Sequence, residues 1–88
     1  MANHESAKKR IRQTEKRTAR NRHVRSTVRS SIKNVRTAIA AGDSAAANEA
    51  LAVAVKRIDM AVSKGVYHQN AGSRYVSRLS QQVHQIGR

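Results

Sequence analysis

The stretch RHVRSTVRSSIKNVRTAIAAGD, residues 22–43, decides the fold. Val24, Val28, Ile32, Val35 and Ile39 recur at steps of 4, 4, 3 and 4, the apolar stripe of an amphipathic helix. Arg22, Arg25, Arg29, Lys33 and Arg36 recur at steps of 3, 4, 4 and 3. At about 100° per residue this second stripe lies roughly 100° around from the first. One face therefore packs while the adjacent face presents cations. Gly42 suits the left-handed residue that closes a helix, and Asp43 or Ser44 suits the N-cap of the next.

Downstream, an Ala-rich second helix runs to Lys64 and closes at Gly65, with the stripe Leu51, Val55, Ile58, Val62. A third begins between His68 and Asn70, with Asn70 as N-cap, and runs to about Ile86 before Gly87. Its stripe is Tyr75, Leu79, Val83, Ile86. There is no proline and no strand-like alternation. Three one-sided helices joined by short loops predict an all-α, up-down-up three-helix bundle. Gly72 is the one glycine inside a helix, where it costs about 1 kcal/mol of propensity relative to Ala.

Upstream, the first helix starts near Ser6, with Asn3 or Ser6 as N-cap and Glu5 near the positive end of the helix dipole. Its apolar stripe does not continue there. The same positions hold Asn21, Arg17, Thr14 and Arg10, relieved only by Ile11 and Ala7. A helix of this length spans roughly 54 Å, against about 30 Å for the later two. The excess projects beyond the bundle, and with no core to join it takes its order from a partner. The chain thus reads as a single domain over 1–88, with a basic extension over 1–20 and a bundle over 21–88.

The 88 residues are 39% hydrophobic, but many of these are Ala; there is no Phe, Trp or Cys. Such a core is thin, and neither disulfides nor Cys-ligated zinc can staple it. Eighteen Lys and Arg against five Asp and Glu give a net charge of +13. Residues 1–36 carry twelve of those cations and two acids, a net +10, which leaves +3 for the remainder. Segregation of this kind points to a polyanionic partner. Lys8, Lys9, Arg10, Arg12, Lys16, Arg17 and Arg20 are set on every side of the extension, as suits a helix buried among phosphates of a folded RNA. A membrane surface would favour cations opposite bulky apolar residues, which the extension lacks. No apolar run is long enough to span a membrane, no signal-peptide core is present, and the basic pattern runs without a break into the core helix, unlike a transit peptide. Arg outnumbers Lys, which favours bidentate phosphate contacts.

Other chemistry finds no support. His4, His23, His68 and His84 form no metal-spaced pair, so no metal and no cofactor are expected. Asp43 reads as a cap, while Glu15 and Glu49 stand isolated on helix faces, so no acid–base pair and no enzyme are expected. Tyr75 falls on the third apolar stripe and reads as core. Tyr67, in the turn, reads as a residue that stacks on a base.

Met1-Ala2-Asn3 followed by Ser6-Ala7-Lys8-Lys9-Arg10, and Ile39-Ala40-Ala41-Gly42-Asp43 at the first turn, resemble the bacterial S-twenty family of small-subunit ribosomal proteins. Lys64-Gly65, His68, Asn70, Arg74 and Ser77-Arg78-Leu79 are similar to that family's second turn and third helix. The resemblance covers nearly the whole chain. It implies a three-helix bundle with a long first helix, direct binding to small-subunit (16S) ribosomal RNA early in assembly, and a structural role in the cytoplasmic ribosome. It implies a monomer there, with neighbouring small-subunit proteins, and neither a membrane nor a small-molecule substrate. By resemblance, Asn3, Ser6, Lys8, Lys9 and Arg10 lie in the RNA-embedded end, and Lys64, His68, Asn70, Arg74 and Arg78 belong to a second contact. Gln69 and Ala71 stand where family members often carry lysines. The competing readings are a histone-like protein that compacts double-stranded DNA, which shares the charge, and a membrane-surface helix.

Overall fold

The computed structural model describes residues 2–86, with side chains from residue 5 onward. These residues form three helices and no strand: α1 (Ala2–Ala40), α2 (Ser44–Ser63) and α3 (Gln69–Ile86). Connections of three and five residues turn the chain back on itself twice, the expected up-down-up order. Helix α1 begins earlier than expected, so Asn3 and Ser6 lie inside its first turns and not at its start. The side chains of Asn3 and His4, and all of Gly87, fall outside the described residues.

Both turns close in the same way. Gly42 (φ 72°) donates to the Ile39 carbonyl and Asp43 donates to the Ala38 carbonyl, at 3.0 and 3.1 Å. Gly65 (φ 75°) donates to Val62 O and Val66 to Ala61 O, at 3.0 and 2.9 Å. These are Schellman closures, which satisfy the orphan carbonyls at a helix end and need a left-handed residue that only Gly adopts without strain. Asp43 also caps α2, because its Oδ1 accepts from the Ala46 amide at 3.0 Å.

The third cap differs from expectation. His68, not Asn70, precedes α3: its carbonyl accepts the Gly72 amide at 3.0 Å and its Nδ1 accepts the Asn70 amide at 3.1 Å. An amide can only donate, so Nδ1 carries no hydrogen and the neutral ring bears it on Nε2.

The core runs along the inner side of α2. Buried residues are Val24, Val28 and Val35 of α1, Ala47, Ala54, Ile58 and Ala61 of α2, and Leu79 and Val83 of α3. The expected stripes mark the right sides of the helices but not their centres. In α1, Ser31 is buried whereas Ile32 and Ile39 are only partly so; the Ser31 hydroxyl donates to Thr27 O at 3.0 Å, which removes the penalty of burying it. In α2, alanines take the centre, and Leu51, Val55 and Val62 are only half-buried. In α3, Tyr75 is 38% exposed rather than core, and Gly72 is buried.

Ahead of the bundle, every residue from 5 to 20 is exposed, Ile11 by 58%. The molecule measures 67 × 21 × 14 Å, with a radius of gyration of 17.7 Å. A compact domain of this length would have about 12 Å. The expected projection of α1 is therefore present, as one continuous helix.

Gly72 allows α3 to lie against α2. A Cβ added there would stand 2.6 Å from Val62 Cγ2 and 3.4 Å from Ile58 Cγ2. Val62 is β-branched and cannot swing clear without leaving its rotamer. Gly72→Ala gains about 1 kcal/mol of helix propensity but meets an overpacking cost of about 1–3 kcal/mol. We expect a net loss in chemical denaturation, and a smaller loss in a Val62→Ala background where the clashing methyl is gone. His68→Ala is expected to lose about 1 kcal/mol with the cap, whereas His68→Ser keeps most of it.

Candidate nucleic-acid interface

Helix α1 carries the cations in two sets with different surroundings. The first set, Lys8, Lys9, Arg10, Arg12, Lys16, Arg17 and Arg20, lies wholly on the projecting part, and each side chain is exposed. On a continuous helix these seven cover an arc of about 200°, narrower than the full ring expected from sequence. The remaining arc holds Ala7, Ile11, Thr14, Thr18 and Glu15. Ser6 shares the charged arc.

The second set, Arg22, Arg25, Arg29, Lys33 and Arg36, is exposed alongside the buried Val24, Val28 and Val35. Packing of α1 on α2 fixes this side outward, and the half-buried Ile32 lies between the buried row and the cations. Only five side-chain carboxylates face eighteen cations in the whole chain, so most of the positive charge is not neutralised from within. Three of the five, Asp43, Glu49 and Asp59, lie on α2 or its cap.

The fold brings residues of the second expected contact to α1, though not all to one place. Lys64 lines a hollow of about 180 Å³ together with His23, Thr27 and Arg57, where the projecting part leaves the bundle. The second turn therefore continues the basic surface of the extension. His68, exposed, caps α3 with its Nε2–H free of the capping bond. Asn70 and Arg74 are exposed on the first turns of α3. Arg78 faces elsewhere: it lines a groove of about 480 Å³ between α1 and α3, with Arg25, Arg29, Lys33 and Arg36.

That groove is what sequence reasoning missed. Ile32 and Leu79 lie along it, and Tyr67 and Tyr75 stand together at it, ring centroids 5.9 Å apart and planes at 74°. The two tyrosines exchange their expected roles: Tyr67 in the turn packs against the core, and Tyr75 on the helix is the more open. Chemically, the surface offers many cations, neutral hydrogen-bond donors and one aromatic pair. Among the described residues no cluster of His, Cys, Asp or Glu could hold a metal ion, and no helix is long and apolar enough to cross a membrane.

Comparison with known proteins gives one consistent result. The sequence model of the family described as Ribosomal protein S20 matches residues 2–84. The chain is 62% identical over 87 residues to the small ribosomal subunit protein bS20 of Geotalea uraniireducens, covering 99% of this chain and 100% of that protein. It is 62% identical over 86 residues to its counterpart in Geotalea daltonii, covering 98% and 99%. With the bS20 of Nitratiruptor sp. it shares 52% over 86 residues, covering 98% and 96%. End-to-end matches at this identity, joined to a three-helix fold with its cations along one overlong helix, make the chain a member of the ribosomal protein S20 family.

Proposed function

We propose that this chain is a structural, non-enzymatic component of the small ribosomal subunit. It binds small-subunit ribosomal RNA directly as a monomer and works in the cytoplasm, on the ribosome. The observation that carries this reading is the unpaired positive charge of α1, net +10 over residues 1–36, in a chain of this family. RNA segments that would otherwise repel one another can close around such a helix, because each Lys or Arg replaces condensed counterions.

Labour divides along α1. Within the extension over residues 1–20, every side chain from 5 to 20 is exposed and so available to phosphates. Lys8, Lys9 and Arg10, with Ser6 as a neutral donor, make the embedded end, to which Asn3 also belongs. Arg12, Lys16, Arg17 and Arg20 continue the charged arc. The bundle over 21–88 supplies a second surface. There Lys64, Asn70 and Arg74 extend the contact, and the His68 Nε2–H donates to a phosphate or ribose oxygen while Nδ1 holds the cap. Phosphate contacts orient the protein but do not read sequence, so specificity rests on RNA shape. Bundle surfaces not used by RNA are open to neighbouring small-subunit proteins.

Deleting residues 1–20 is expected to leave a cooperative thermal melt of the bundle and to weaken ribosomal RNA binding severely; full affinity in the deletion would refute this division. Circular dichroism of the free full-length chain is expected to gain helix on adding the RNA. Binding constants should fall linearly with salt on a log–log plot, by about 0.7–0.9 per neutralised phosphate. Replacing Lys8, Lys9 and Arg10 together by Gln should flatten that slope by roughly one for each phosphate left without its cation. A binding constant that does not change with salt would remove the mechanism, and preference for duplex DNA in competition would favour compaction of DNA instead.

A further inference from the structure

The α1–α3 groove differs from the rest of the basic surface because it combines cations with aromatic and apolar area. Arg25, Arg29, Lys33 and Arg36 approach it from α1 and Arg78 from α3, and no carboxylate is among the residues lining it. Tyr67 is held by the core and meets Tyr75 in an edge-to-face pair, so the Tyr75 ring is oriented although 38% of the residue is exposed. An exposed tyrosine fixed by a second tyrosine has already lost part of the freedom that a stacking ligand would have to remove. Beside it, Ile32 and Leu79 give the groove an apolar wall.

We propose, building on the RNA-binding reading above, that this groove is a subsite for an unpaired nucleotide of RNA. The base stacks on Tyr75 against the apolar wall, and the flanking phosphates are held by Arg25, Arg29 and Arg78. The chemistry selects this occupant over the alternatives. A duplex presents ribose and phosphate outward, satisfying the cations but leaving the aromatic ring without a partner. An acidic peptide would also engage the cations, but only a planar base uses the ring face while its own backbone supplies an anion on either side. At about 480 Å³ the groove lies within the size range of small-ligand sites.

The sequence supplies a direct probe. Tyr67 and Tyr75 are the only aromatic residues, and both line the groove, so tyrosine emission of the unmodified full chain reports on this place alone. A short single-stranded RNA is expected to quench that emission, whereas the same strand paired in a duplex should bind and leave it nearly unchanged. Tyr75→Leu, which keeps apolar bulk but removes the ring, should bind the single strand at least about fivefold more weakly. Tyr75→Phe should bind and melt as the parent does, whereas Tyr75→Leu, which gives up the edge-to-face contact with Tyr67, is to be compared with the parent well below its own melting transition. Equal affinity of Tyr75→Leu and parent for the single strand would overturn the subsite, as would equal quenching by the duplex, or quenching by an acidic peptide but not by RNA. Tyr75→Leu binding small-subunit ribosomal RNA as tightly as the parent, with salt dependence intact, would overturn the subsite while leaving the phosphate mechanism standing. Failure of the parent chain itself to bind that RNA would remove the wider reading instead.

Discussion

Helix α3 crosses α2 at Gly72 so closely that an added Cβ would stand 2.6 Å from Val62 Cγ2. On its buried side α2 offers Ala47, Ala54 and Ala61, all fully enclosed. Small residues where helices meet let backbones approach, and the gain is dispersion along the whole seam rather than burial of large side chains. The largest fully buried side chains are only Ile58, Val28 and Val35, each worth about 1.5–3 kcal/mol when removed from water. A chain without Phe or Trp has no other way to build a core of this size, so the helices must lie close or the bundle has no interior.

That constraint also sorts the charge. A narrow core touches each helix along one thin line, which leaves most of the surface of α1 free for cations. Helix α2 packs against both neighbours and is close to neutral, its Lys56 and Arg57 balanced by Glu49 and Asp59. Those acids are thereby kept on the central helix, away from the groove between α1 and α3. Positive potential accumulates on the flanks of the molecule, where little internal pairing diminishes it.

Much of this was legible in the sequence. Gly42, Gly65 and the stripes of periodic aliphatics mark three helices, because left-handed closures and 3.6-residue periodicity depend on local chemistry. The break in the stripe above Val24 marks where the bundle ends for the same reason. What periodicity could not give was the rotation of each helix about its axis. Ala54 and Ala61 look like helix filler beside Val55 and Val62, yet the alanines face inward, because close approach favours the smaller residue and sequence does not show how near a neighbour lies. Gly72 looks like a propensity defect until α2 is seen beneath it. His68 was missed as a cap because imidazole is an uncommon choice for that role, and Asn70 two residues later is a stronger local signal. Tyr67 and Tyr75 were exchanged because their environments depend on the α1–α3 gap, a feature of tertiary structure. On the extension, the exposure of the cations was legible, but not their confinement to one arc of the helix. Nor was the union of Arg78 with the α1 stripe, since those residues meet only across the fold.

Helix α1 has no glycine, proline or break between its projecting and its packed part. A hinge there would let the two basic regions move independently, but once RNA has ordered the extension an uninterrupted helix makes them one stiff strut. Lys8 and Arg36 stand 28 residues apart, about 42 Å along the axis. In the proposed complex the protein therefore sets a distance as well as neutralising charge. RNA elements gripped at its two ends are held at a fixed separation, and the bundle, anchored by the turn at Gly42 and Asp43, keeps the strut from rolling about its own axis.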